Sequence, residues 1–344
     1  MADGTKIEWT DATWNPITGC AIVSPGCTNC YAMKLAGSRL KNHPSRKGLT
    51  KDTKAGPVWT GEIRFNRKWL DQPLRWTKPR MIFVCAHGDL FAEGVNELWI
   101  DNVFAVMALA PQHTFQVLTK RPERMRDYIR GMEQRRDFIA GYGALIWGGD
   151  RPDLVYETAH EALARPLPNV WLGVSVEDQK RADERIPILL DTPAAVRWIS
   201  AEPLLGQVDF YKTSAAMPSG RLHPWRNGPI LQGIHWLVAG GESGPGARPM
   251  HPDWARELRD QCAAAGVPFL FKQWGAFSPK RITLTEFWNP ATARIGELIA
   301  NAGGKLEQYP DDTGNVIAMR HVGKAAAGRL LDGVEHNGFP EIRR

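Results

Sequence analysis

Short apolar runs alternate with longer amphipathic stretches down most of this chain of 344 residues. Ile7 to Trp14 reads as a first strand that ends at Asn15-Pro16. Met81–Cys85, Thr114–Leu118, Asn169–Val174, Val196–Ile199, His235–Ala239 and Val267–Phe271 are further apolar runs of strand length. Between them the apolar residues recur at helical spacing. Tyr31 to Leu40 reads as a short helix. Asn96 is placed to cap a helix through Ala110, with Trp99, Val103, Val106 and Met107 on one face. Pro122 stands where a first helical residue is favoured. A charged helix is predicted to end near Leu190, and another from Asp253 to Ala265 is stopped by Gly266.

The strand ends keep a regular distance. Thr119 follows Asp89 by 30 residues, Glu202 follows Ser175 by 27, and Lys272 follows Glu242 by 30. About 30 residues is one βα repeat. Seven strands, with no Gly-x-Gly-x-x-Gly after the first, predict an α/β fold: a TIM-like β/α barrel, complete or incomplete. The wider gaps at 41–60, 131–168 and 211–230 predict loop insertions; Ala144–Trp147 reads either as a strand or, with Gly148-Gly149 after it, as part of the long insertion. The basic stretch 41–57 reads as a solvated loop first and a phosphate-contacting flap second. From 276 the repeat is lost. Residues 1–275 are therefore assigned to the barrel, and 276–344 to a C-terminal extension packed on it, over its mouth. Within the extension, Asp311 to Gly314 reads as a hairpin turn and Gly323 to Leu331 as a short helix.

Composition adds limits. Apolar residues at 43% and charged residues at 23% suit a soluble globular protein. No apolar run approaches the length of a membrane span, so no membrane association is expected. The N-terminus lacks the basic-then-apolar pattern of a secretion signal. The five cysteines are odd in number, and three crowd into eleven positions. That argues against a disulfide framework and for a cytoplasmic, reducing location. A net charge of +6 permits a nucleic-acid partner (DNA or RNA) without requiring one. The 14 tryptophans are expected mostly in the core, with a few able to stack on a planar substrate.

The three crowded cysteines, Cys20, Cys27 and Cys30, sit in a Gly/Pro-rich loop at 15–31. Clustered thiolates select zinc, copper(I) or iron–sulfur. A structural zinc wants four ligands, for which Cys85, His87 or Cys262 is available, but no second Cys-x-x-Cys pair exists. Three cysteines leave one vertex open, as a 4Fe-4S cluster with a ligand-binding iron does. Polar residues gather at the other strand ends. Lys120 and Arg121 precede a helix start, where an anionic ligand would offset their charge. Glu202 is held extended by Pro203 and is assigned to the site. Glu242, in a Gly-Gly-Glu stretch, is read as lining a substrate or cofactor loop. Lys272, Gln273 and Trp274, with Arg248, are placed to meet a phosphate and stack a base.

The stretch from Trp14 to Tyr31 resembles a phage-associated three-Cys-motif family of radical S-adenosylmethionine (SAM) type. So do Leu118–Glu123, Gly173–Glu177, Ser200–Gly206, Gly240–Gly244 and Phe271–Gly275. The likeness covers most of 7–275 and also 323–333. The cysteine spacing departs from the common radical-SAM pattern: six residues, not three, separate Cys20 from Cys27. The resemblance implies a 4Fe-4S cluster on Cys20, Cys27 and Cys30 and cleavage of SAM to a 5′-deoxyadenosyl radical. It implies that Asp89 meets the SAM ammonium and that Ser175 and Glu177 meet the ribose. An electron donor and a three-Cys-motif partner protein are implied companions. The substrate is expected to be a nucleic acid or nucleotide-like molecule. A non-catalytic zinc-binding nucleic-acid-interacting protein and an iron–sulfur protein that does not cleave SAM are the alternatives.

Overall fold

The computed structural model describes residues 4–212, 230–282 and 316–341. Its centre is one seven-stranded parallel sheet: β1 (Ala12–Trp14), β2 (Met81–Val84), β3 (Thr114–Thr119), β4 (Val170–Ser175), β5 (Val196–Ala201), β6 (Trp236–Gly240) and β7 (Phe269–Gln273). Spatial order equals chain order, so each strand pairs with the next. The strands are short apolar runs with helices between them, which is what parallel pairing needs.

Alternation along the strands splits the core in two. Leu172, Val174, Ile199, Leu237 and Phe271 face outward and join the helices in the larger cluster. Phe83, Trp171, Trp198, Trp236 and Leu270 face inward and form a second cluster with Trp9. Trp9 meets Phe83, Trp198 and Trp236 at ring separations of 4.7, 5.3 and 6.2 Å. Contacts between such distant strands require the sheet to curl into a half-barrel. Gly173 admits this packing, because a Cβ there would lie 2.5 Å from the Trp198 ring. Four of the 14 tryptophans, Trp9, Trp171, Trp198 and Trp236, thus form the floor of the half-barrel.

The helix signals hold where capping chemistry is local. Helix α1 spans Tyr31–Gly37, and α2 spans Glu97–Ala108, where the Asn96 side chain accepts from the Leu98 amide at 2.8 Å. Helix α3 (Pro122–Arg130) opens on its proline. The segment 131–168 is a helical hairpin and not a loop: α4 (Met132–Trp147) and α5 (Pro152–Ala162). Ala144–Trp147, a candidate strand by sequence, is the last turn of α4. Buried Ile139, Ala140 and Gly143 give α4 an inner face three and four residues apart, and Gly143 lets α2 approach closely. Helix α6 (Gln179–Leu190) is capped by Asp178, and α7 (Pro252–Ala265) ends at left-handed Gly266. Among the described residues no helix is long and apolar enough to cross a membrane.

The basic insertion is also structured. Thr50–Thr53 and Gly56–Trp59 form a hairpin. Leu49 and Trp59 pack on Ala32, Met33 and Ala36 of α1, so this flap has its own small core. Of the expected insertion at 211–230, residues 213–229 lie outside the described residues. In the extension, Phe277–Ile282 pairs antiparallel with Val316–His321, and the expected turn at Asp311–Gly314 lies outside the described residues. Lys324–Ala327 is a single helical turn. The chain then runs down the free edge of β7: Phe271 N–H donates to His336 O at 3.0 Å and Gly338 N–H to Phe269 O at 2.9 Å. Phe339 stacks on Trp236 beneath the floor. The extension therefore covers an otherwise unpaired edge. It reaches the mouth through Lys324, which pairs with Glu8 at 3.0 Å.

Candidate functional site

A cavity of about 1090 Å³ opens at the C-terminal ends of the strands. Cys20, Cys27 and Cys30 form part of its wall, as do Asp89, Lys120, Arg121, Ser175, Glu202, Glu242, Lys272 and Gln273. Three expected site residues lie outside that lining. Glu177 is fully buried behind the cysteine loop. Arg248 lies outside the lining and grips the loop's backbone at Pro25. Trp274 packs in the core against Phe271 and donates from Nε1 to Leu330 O at 2.8 Å, so it ties down the extension and offers no stacking face to the cavity.

The carboxylates at the strand ends hold the cysteine loop in place. Asp89, after β2, accepts from Thr119 Oγ1 at 2.7 Å, from the amides of Phe91 and Lys120 at 2.9 and 3.1 Å, and from Arg121 at 3.1 Å. Both its oxygens are engaged. Arg121 carries the connection onward: it reaches Cys20 Sγ at 3.4 Å and Ala21 O at 3.0 Å, and also holds Glu93. Glu177, after β4, is bound by Lys120 at 2.8 Å, Arg185 at 3.0 Å and the Ser24 hydroxyl at 2.7 Å. Gly26 is required opposite it, since a Cβ there would lie 2.4 Å from Glu177 Oε1. Glu242, after β6, accepts from Asn29 at 3.0 Å and from Arg248, which itself donates to Pro25 O at 2.9 Å. The loop is thus pinned near Cys20, between Ser24 and Gly26, and at Asn29. A loop with little secondary structure of its own borrows its rigidity from three different strands.

These pairings set the charge states. Burial would raise Glu177, but Lys120 and Arg185 outweigh it and hold the carboxyl below its usual range. Burial is likewise overcome at Glu242 by Arg248 and Asn29. Burial, with Asp89 nearby, pushes the Cys20 thiol up to about 12, and burial also raises Cys30. All five cysteines are free. Cys85 and Cys262 belong to the outer core and stand apart from the cavity, whereas His87 lines it.

Facing the cysteine wall, Glu202 and Lys272 pair at 3.0 Å, with Ser175 and Ser200 between the strands. Gln273 Oε1 is buried without a partner among the described residues. The residues that escaped the sequence reading are the loop's anchors. Asn29, inside the Cys-x-x-Cys segment, was the one visible clue. Arg185 gave none, because only the docking of α6 brings it to Glu177.

The fold and site define an α/β half-barrel protein with a cysteine-walled cavity at the C-terminal ends of its strands. The model of a family described as a protein of unknown function (DUF5131) matches residues 4–340, and the chain belongs to that family. No curated protein and no solved structure matches the chain.

Proposed function

We propose that this chain is a radical-SAM-type iron–sulfur enzyme on a TIM-like, incomplete β/α barrel, acting on a nucleic-acid or nucleotide-like substrate. The observation that carries the reading is the convergence of three thiols from one anchored loop on a cavity at parallel strand ends. Cys20, Cys27 and Cys30 would hold the cluster. When bound, a 4Fe-4S cluster supplies an electron and an iron open to the amino and carboxylate groups of SAM.

Zinc is the rival occupant of the same donor set. A tetrahedral zinc with sulfurs about 2.3 Å away draws its thiolates together around one point. Three thiols fall one short of the four ligands of a structural zinc and leave one vertex open, which suits a cluster with a ligand-binding iron.

The chain's own residues have separate tasks. Asp89, Glu177 and Glu242 position the loop through Arg121, Ser24 and Asn29. Ser175, Glu202, Lys272 and Gln273 present the polar groups available to a bound cofactor and substrate. The Trp9–Trp198–Trp236 cluster forms the floor of the half-barrel. An electron donor and a partner protein belong to the same reading.

The test is anaerobic iron–sulfur reconstitution, followed by EPR of the reduced protein with and without SAM and assay of 5′-deoxyadenosine. The expected result is a cluster signal that SAM perturbs, with deoxyadenosine released. Cys20→Ala, Cys27→Ala and Cys30→Ala should each lose iron, while Cys85→Ala and Cys262→Ala keep it. Stoichiometric zinc without iron uptake would sink the reading. A cluster whose spectrum ignores SAM would reduce it to an iron–sulfur protein.

A further inference from the structure

Most cations around the cavity are neutralised within the protein. Lys120 pairs with Glu177, Arg121 with Asp89 and Glu93, Lys272 with Glu202, and Lys324 with Glu8. Arg46 differs. It lies in the flap, lines the cavity and is only 3% exposed, yet no carboxylate pairs with it among the described residues. Its guanidinium donates to Ser45 Oγ at 2.7 Å, to Ser45 O at 3.2 Å and to His87 Nδ1 at 2.6 Å. Its Nε hydrogen has no acceptor among the described residues. A buried charge without a counter-ion is costly, and folds that keep one generally meet it with an anion.

The neighbours supply no negative charge. His87 Nδ1 accepts from Arg46, so that ring carries its hydrogen on Nε2. His43 Nδ1 accepts from the Ser45 amide and lies 2.6 Å from the Ser45 hydroxyl, which fixes the same tautomer. The next charge in reach is another cation, Arg64. Burial and Arg64 pull the Arg46 pKa down to about 10. Trp69 stands in the same wall, with Arg46 6.0 Å from its ring centre. The cluster combines one uncompensated guanidinium, donor-only histidine edges and flat aromatic surface.

We propose that Arg46, flanked by His43 and His87, is the binding site for a phosphate group of the ligand that enters the cavity. The phosphate supplies the missing acceptor for the guanidinium, and the part-buried Trp69 gives a flat neighbour for the base attached to it. This narrows the nucleotide-like substrate of the preceding reading but stands on the flap alone and needs no cluster. A free nucleotide and single-stranded nucleic acid present the same group.

The test uses the full chain as purified, titrated with a nucleoside, its 5′-monophosphate and a short single-stranded oligonucleotide, by calorimetry and tryptophan fluorescence. In the wild type a phosphorylated probe should bind about tenfold or more tighter than the nucleoside. Arg46→Gln should erase that difference and leave nucleoside affinity unchanged, and Arg46→Lys should keep part of it. An Arg46-dependent gain for the monophosphate identifies a free nucleotide; one for the oligonucleotide alone identifies nucleic acid. Equal affinity of the wild type for nucleoside and both phosphorylated probes overturns the inference without any variant. So does a phosphate preference that survives Arg46→Gln. Failure of iron uptake leaves it standing, and its own failure leaves the cluster reading standing.

Discussion

Two walls of one cavity treat charge in opposite ways. On the cysteine wall the buried carboxylates Asp89, Glu177 and Glu242 are saturated by arginine, lysine and amide donors from other elements. On the flap wall Arg46 is buried among histidines and a serine, with no anion among the described residues. The first arrangement spends its charges on holding a loop rigid. The second leaves one charge unspent. The contrast teaches that a charged residue lining a cavity is not by itself a ligand contact: whether its partners are already inside the protein decides.

The comparison can be broken most directly at Glu177. Glu177→Ala strands Lys120 and Arg185 without a counter-charge and should cost about 3–5 kcal/mol, read by denaturant unfolding. Amide exchange in residues 20–30 should rise with it. Unchanged protection there would show that the loop is held by other means. Gly26→Ala presses a methyl group against the same carboxylate and should cost about 1–3 kcal/mol. A neutral result would mean that the loop has room to retreat.

Acid should separate the walls. Burial beside Arg46 lowers His87 from 6.5 to about 4. Its folded pKa is depressed, so its stabilisation is complete above pH 6.5 and drains away as pH falls toward 4. Glu177 and Glu242 are held below their ordinary 4.5. Their contribution is intact above that value and goes only at lower pH. Exchange measured against pH should therefore loosen the flap first and the cysteine loop second; simultaneous loosening would erase the distinction. The smallest effect belongs to Arg46→Met. Removing an unpaired buried charge should leave the ligand-free protein at least as stable as before, as thermal unfolding can check. A loss comparable to that of Glu177→Ala would show that Arg46 is structural.

Much of the fold was legible. Asn96, Pro122 and Gly266 marked helix boundaries because capping is local chemistry. The repeat spacing located the parallel strands, since a crossover helix sets the distance between them. Ala144–Trp147 misled because four apolar residues fit a strand as well as the end of a helix, and only packing against α2 decides. The flap looked solvated because its many lysines hide the few residues, Ser45, Arg46 and Leu49, that are buried.

The amino-acid sequence by itself determined the order of the seven sheet strands, the three-thiol loop and the polar character of the strand ends, because each depends on neighbours a few residues apart. Only the tertiary structure decided what those polar groups do. Glu177 and Glu202 end adjacent strands, and both read as site carboxylates. One is sealed behind the cysteine loop by Ser24, 153 positions earlier in the chain, while the other faces the cavity with Lys272. Charge pairing is a matter of distance in space, and a carboxylate's role is settled by whichever cations the fold brings within about 3 Å of it.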